Sequence, residues 1–457
     1  MTAARLPDGT RLELGTATAS YQIEGGVDLD GRGPSVWDTF TARAGTIKDG
    51  SDGAVACDSF HRYGEDVGLV ADLGVDWYRF SIAWPRVVPQ GRGRVETRGL
   101  DYYDRLVDAL LERGVKPTAT LYHWDLPQPL EDAGGWLVRE TVDAFVEYAA
   151  VVHERLGDRV GLWATHNEPW CAAYLGYAAG VHAPGRREGG AAHRAAHHLM
   201  LSHARAAEAL RSAGTCDVGI VLNLAPIWPE RPEAAEVADG VDAVRNRVWL
   251  DPLVDGAYDD GLLRVAPELG DPELVRPGDL DEIRGSADWV GINYYTPVRP
   301  DVPAAEASGA PHPEGGAYPG VPPFDLVVRD PRTDIGWEID AGGLEELLVE
   351  TARRTDLPVL VMENGAACAD TDRVEATGQV DDQDRIGYLR DHLAATDRAR
   401  EAGADVRAYV VWTLLDNFEW AEGYTKTFGL VHIDPDDQTR TPKASYDWFA
   451  ETVRARR

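Results

Sequence analysis

Two short segments place a carboxylate where it could do chemistry. Asn167-Glu168-Pro169-Trp170 and Val361-Met362-Glu363-Asn364-Gly365 each set a Glu beside an Asn at the end of an apolar run. Cleavage of a glycosidic bond needs such a pair: one carboxyl protonates the departing oxygen, and the other attacks the anomeric carbon or activates water. A single Glu at a strand end is more often a helix cap or half of a structural ion pair, so the weight rests on there being two. Gln22, His123, Asn167, Asn293, Tyr295 and Trp412 are further side chains with chemistry at strand ends. Sugar rings also present apolar faces, which calls for aromatic platforms. Trp124, Trp337, Trp412 and Trp420 fall in or near expected loops, against a background in which most tryptophans serve the core.

The elements that must position these residues are short β-branched or aromatic runs over 11–20, 77–83, 116–123, 161–166, 217–224, 288–295, 358–363 and 406–412. Between them lie amphipathic stretches over 63–73, 102–113, 141–156, 191–213, 343–354 and 385–402, several with apolar residues at three- and four-residue steps. Eight strands alternating with helices predict an α/β fold of the (β/α)8 TIM-barrel type. Residues 1–457 form one expected catalytic domain with extended βα loops, the longest over 297–323. In a barrel every strand opens its C-terminal end on one face, so carboxylates after strands four and seven lie across the mouth from each other. A doubly wound sheet would want a glycine-rich phosphate turn after strand one, where the chain reads Thr18-Ala19-Ser20-Tyr21-Gln22.

Composition narrows the partners. A net charge of −32 repels nucleic acid and anionic membranes, and no apolar run reaches the roughly 18 residues that span a bilayer. Residues 1–16 lack a basic stretch followed by an apolar one, and Cys57, Cys171, Cys216 and Cys368 are widely spaced without a CxxC pair. A cytoplasmic chain with reduced, buried thiols is expected. No cofactor and no metal is expected. His193, His197 and His198 share a helix without the Glu of a zinc-protease motif, His153-Glu154-Arg155-Leu156-Gly157 lacks its second His, and the acidic stretch 370–384 does not follow EF-hand spacing.

Seven segments in order complete a resemblance. Gly15-Thr16-Ala17-Thr18-Ala19-Ser20-Tyr21-Gln22-Ile23-Glu24-Gly25, Tyr78-Arg79-Phe80-Ser81-Ile82-Ala83-Trp84-Pro85-Arg86 and His123-Trp124-Asp125-Leu126-Pro127 come first. Asn167-Glu168-Pro169, Asn293-Tyr294-Tyr295, Glu363-Asn364-Gly365 and Trp412-Thr413-Leu414-Leu415-Asp416-Asn417-Phe418-Glu419-Trp420 follow. The chain, from about Gly15 to Trp448, resembles glycoside hydrolase family 1, the β-glucosidase family.

That resemblance implies a retaining β-glycosidase working by double displacement, with Glu168 as acid/base and Glu363 as nucleophile. Arg79, Asn167, Asn293 and Tyr295 would support them, and Gln22, His123, Trp124, Trp337, Trp412, Glu419 and Trp420 would bind substrate. The implied substrate is a small β-glycoside: cellobiose or an aryl β-glucoside, with β-galactosides and β-fucosides as further candidates. Carbohydrate metabolism and cellulose degradation are the implied setting, for a monomer or homo-oligomer. An ionised Glu419 would disfavour the 6-phospho-β-glucosidase branch. Glu168 and Glu363 together argue against a non-catalytic sugar-binding barrel, and Glu168 against a thioglucosidase, which carries Gln there. Transfer to an alcohol instead of water stays open. His166, Met362 and Cys368 depart from the family's usual pattern without replacing either carboxylate.

Overall fold

Eight parallel strands close on themselves in sequence order: β1 (Glu13–Ala17), β2 (Trp77–Ser81), β3 (Lys116–Tyr122), β4 (Leu162–Asn167), β5 (Asp217–Leu222), β6 (Trp289–Asn293), β7 (Val359–Asn364) and β8 (Val406–Trp412). The closing pair is β8 with β1, in register from Glu13 opposite Ala408 to Ala17 opposite Trp412. The computed structural model describes residues 3–303, 316–371 and 378–457. The expected long loop over 297–323 and the acidic stretch 370–384 therefore lie partly outside the described residues. Each expected strand matches one barrel strand to within about three residues. The six expected helices correspond to Ser59–Leu73, Thr97–Glu112, Glu140–Leu156, His193–Ala213, Ala341–Thr355 and Gln383–Glu401.

The period-2 alternation of a strand sends successive side chains to opposite faces, and this produces two cores. Inward residues such as Trp77, Leu162, Ala164, Trp289, Leu360, Met362 and Val410 form one apolar cluster. Outward residues, among them Tyr78, Phe80, Leu121, Val290, Val361 and Tyr409, join the helices in a second and larger one. Below the strands the barrel is closed by ion pairs, including Lys116 with Glu13 at 2.8 Å and Arg11 with Asp76.

Much of the motif sequence serves this scaffold. Glu24 accepts from Arg86 at 2.9 Å and from the Tyr103 hydroxyl at 2.6 Å, in a buried pairing that ties the loop after β1 to the loop after β2. Ser20 donates to Asp125 at 2.9 Å, and burial pushes that carboxyl up to about 7. Gly365 is a third case: a Cβ there would stand 1.9 Å from the Trp412 carbonyl oxygen. Only a residue without a side chain lets the end of β7 approach β8 so closely.

Candidate active site

A cavity of about 450 Å³ opens at the C-terminal ends of the strands, and both Glu168 and Glu363 line it. Simple alternation would not bring both there. On β7, Met362 packs in the barrel interior, so its neighbour Glu363 should face outward. Register shifts flank this point, between Ile292 and Asn293 on one side and between Tyr409 and Val411 on the other. A second break lies on β4, between Ala164 and Asn167 in its pairing with β5. There Thr165 and His166 bond outward, to His203 and Ser202 of the helix His193–Ala213. Asn167 and Glu168 then both turn in, with Glu168 at φ +45°. Bulges re-aim side chains in this way, and a left-handed non-glycine residue is strain held by its surroundings.

A continuous chain of hydrogen bonds links the two carboxylates. The guanidinium of Arg79 donates to Glu363 Oε1 at 2.5 Å and to Asn167 Oδ1 at 2.6 Å. That same Oδ1 accepts from Asn293 Nδ2 at 2.9 Å, and Asn293 Nδ2 reaches Glu168 Oε1 at 2.7 Å. Thr120 Oγ1, at 3.1 Å from Arg79 Nε, fixes the guanidinium plane. The Tyr295 hydroxyl donates to the other oxygen of Glu363 at 2.7 Å. His123, whose basicity burial and then the charge of Arg79 drive well below the ordinary histidine value, is neutral. Its Nε2 lies 3.0 Å from Asn167 Nδ2 and accepts from it. Both side-chain polar atoms of Asn167 and its backbone carbonyl thereby have defined partners, since Trp124 Nε1 donates to that carbonyl at 2.9 Å.

Electrostatics separate the acidic groups. Burial pushes Glu363 up to about 7; Arg79 opposes the shift, the charge of Glu168 adds to it, and Tyr295 opposes it. Arg79 favours the ionised form of Glu363, but desolvation outweighs the guanidinium. Glu419 is pushed further, to about 8, by burial and then by the charges of Glu363 and Glu168. Its expected negative charge is corrected, because a fully desolvated carboxyl beside two others holds its proton.

The expected sugar-binding residues divide. His123, Trp124, Trp337, Trp412, Glu419 and Trp420 line the cavity. Trp124 and Trp420 have ring centroids 4.4 Å apart, and His123 stacks on Trp412 at 5.9 Å. Gln22 is fully buried beside this wall, its Nε2 donating to Asn417 Oδ1 and to the Phe418 carbonyl, each at 3.0 Å. Gln22 Oε1 and Glu419 Oε2 are buried acceptors without a protein partner. Glu422, the second carboxylate of that loop, pairs with Lys48 at 2.8 Å.

Sequence reasoning missed Asn223, whose Nδ2 donates to Glu168 Oε1 at 3.1 Å, and Cys171, whose thiol donates to Glu168 Oε2 at 3.1 Å. Asn223 stands one residue past the end of β5, the signal used for the other candidates, but the expected strand over 217–224 had absorbed it. The helix histidines bond to structure: His193 to the Tyr174 hydroxyl, His197 to Tyr258 and Asp279, and His198 to the Trp136 carbonyl. Asp370, Asp416 and His432 gather closely enough for a metal. Lys443 Nζ, however, sits 2.6 Å from Asp370 and 2.8 Å from Asp416 and supplies the positive charge itself.

With Glu363 in the expected nucleophile role, which requires its ionised form, kcat/KM on an aryl β-glucoside should rise with pH through about 7. The limb belongs to the pair of carboxyls, not to one alone. Tyr295→Phe removes a hydrogen bond that favours the ionised form, so the limb should move to higher pH. A rate profile between about pH 5 and 9 reads this; an unmoved limb would remove Tyr295 from the nucleophile's electrostatics.

Residues 6–457 match the model of the glycosyl hydrolase family 1 domain. The chain is 45% identical to a bifunctional β-D-glucosidase/β-D-fucosidase of Bifidobacterium breve, covering 96% of each chain. It is 42% identical to β-glucosidase A of Thermotoga maritima over 99% of each. Among solved structures, a psychrophilic β-glucosidase from Micrococcus antarcticus superposes with a TM-score of 0.92 at 45% identity, covering 98% of this chain and 97% of that one.

Proposed function

The chain belongs to glycosyl hydrolase family 1, and from that premise we propose a retaining β-glucosidase whose nucleophile is Glu363 and whose acid/base is Glu168. The observation that carries the assignment is the asymmetry of the two partner sets. Glu363 is held by a guanidinium and a phenol, Arg79 and Tyr295. Glu168 is held by neutral donors alone, Asn293, Asn223 and Cys171. A guanidinium and a phenol favour the ionised form against the burial that raises Glu363, whereas neutral donors tolerate a group that gains and loses its proton in each cycle. Glu168 protonates the glycosidic oxygen while Glu363 forms the glycosyl ester, and Glu168 then takes the proton of the attacking water. The relative that acts on glucosides and fucosides supports acceptance of β-fucosides here. We read residues 1–457 as one barrel domain. We place the reaction in the cytoplasm, where the four buried cysteines would stay reduced, and in the breakdown of cellulose-derived glucosides such as cellobiose.

The test is kcat/KM across aryl β-glucoside, β-galactoside, β-fucoside and 6-phospho-β-glucoside, with cellobiose. Glu419 with its partnerless oxygen suits a hydroxyl that both donates and accepts. A 6-phosphate brings roughly −1.5 to −2 charge into a wall that already holds Glu168, Glu363 and Glu419. The phosphorylated substrate should be slower by on the order of 10²-fold or more, and Glu419→Gln, neutral like the protonated Glu419, should leave that gap largely unchanged. Preference of the wild type for the phosphorylated sugar would overturn the reading of this loop.

A further inference from the structure

Arg245 has no use in the reaction just described, and its surroundings are unusual for this chain. The protein carries 77 acidic against 45 basic residues, and cations along the cavity wall are accordingly neutralised. Arg299 lies 2.8 Å from Glu338. Arg245 also lines the cavity, yet no carboxylate approaches within 4.0 Å of it among the described residues. Its guanidinium lies over the Trp170 ring, 3.9 Å from the centroid. One Nη donates to Asn223 Oδ1, and its Nε is buried without a partner. A guanidinium has five N–H donors, so most of its capacity is unspent.

Its position relative to the chemistry is fixed by contact. Asn223 donates to Glu168 at 3.1 Å, and Glu168 is the group proposed to protonate the leaving oxygen. Arg245 therefore stands one side chain from the acid and lines the same cavity. The surrounding wall is apolar and aromatic, with Trp170, Leu175, Tyr318, Val328 and Trp337. This wall suits a flat ring, and the guanidinium suits an anion at the ring's edge.

We infer that Arg245 is a specificity residue for the leaving group, and that the site accepts β-glucosides of aromatic carboxylic acids. The inference rests on the β-glucosidase reading and names the aglycone for that same site. A carboxylate against Arg245 gains a charge-assisted hydrogen bond in a cavity where screening by water is weak. Without Arg245 the same carboxylate would be buried against an apolar and aromatic wall with no cation to pair with it. A planar, delocalised and weakly hydrated cation is the right donor for such a group.

The experiment compares 4-carboxyphenyl β-D-glucoside with 4-carbamoylphenyl β-D-glucoside, two leaving groups of the same size and shape that differ in charge. The readout is the ratio of their kcat/KM values. Arg245→Gln should lower this ratio about tenfold, chiefly through KM, because the contact exists in both ground and transition states. Arg245→Lys should keep most of it. If Arg245 only orients Asn223 toward Glu168, both substrates slow together and the ratio stays within twofold, which overturns the inference. If the wild type hydrolyses neither substrate, the β-glucosidase reading itself fails; if it hydrolyses the carbamoyl substrate and the ratio ignores Arg245, only the leaving-group inference does.

Discussion

Glu363→Ala is expected to lower hydrolysis of an aryl β-glucoside by roughly 10⁵-fold or more, because the covalent intermediate cannot form. Binding should largely survive, since the cavity wall of His123, Trp124, Trp412 and Trp420 is untouched. Added azide should restore turnover and yield the α-glycosyl azide: the small anion occupies the vacated face and Glu168 still assists departure. The substitution also strips Arg79 of its one carboxylate, leaving Asn167, Thr120 and the Met362 carbonyl as partners. A buried cation left unpaired costs about 3–5 kcal/mol. Thermal unfolding should therefore accompany the kinetics, and Glu363→Gln, which preserves volume and one hydrogen bond, serves as the control. Near-wild-type turnover by a folded Glu363→Ala would sink the nucleophile assignment.

The barrel was legible because the strands are short β-branched or aromatic runs and several helices carry a 3.6-residue apolar stripe. The carboxylates were legible because strand ends share one face. What escaped were effects without local periodicity. Nothing in Val361-Met362-Glu363 announces that Met362 and Glu363 face the same way; the register shifts against β6 and β8 produce that. The protonation of Glu419 depends on two carboxyls distant in sequence and on complete burial, so its expected charge was misjudged. Gln22 was expected against the sugar; its Nε2 is held by Asn417 and Phe418 while its Oε1 has no protein partner. Asn223 meets Glu168, and Arg245 meets Asn223, only through folding, one from a strand end and the other from a segment with no motif. Conversely, Glu24 and Arg86, prominent in the family segments, proved to be a buried scaffold pair.

Glu168→Ala should separate substrates by leaving group instead of silencing all of them. A dinitrophenolate departs with little need of a proton, so its glycosylation step should slow only a few-fold. A sugar or alkyl leaving group requires protonation and should lose roughly 10²–10⁴-fold, the usual worth of a positioned general acid. Deglycosylation also loses its base, so an activated substrate should show a burst followed by slow turnover as the glycosyl-enzyme accumulates. Azide needs no base, and it should relieve that second step and give the β-glycosyl azide, the opposite anomer from that made by Glu363→Ala. The partners of Glu168 sharpen the prediction. Asn223 and Asn293 both donate to Oε1, so Asn223→Ala should orient the acid less well and reproduce a weaker version of the same leaving-group dependence. Equal slowing of good and poor leaving groups in the glycosylation step of Glu168→Ala would remove the acid role. Because the Glu363 partners lie on the other side of Asn167, that result would leave the nucleophile assignment standing.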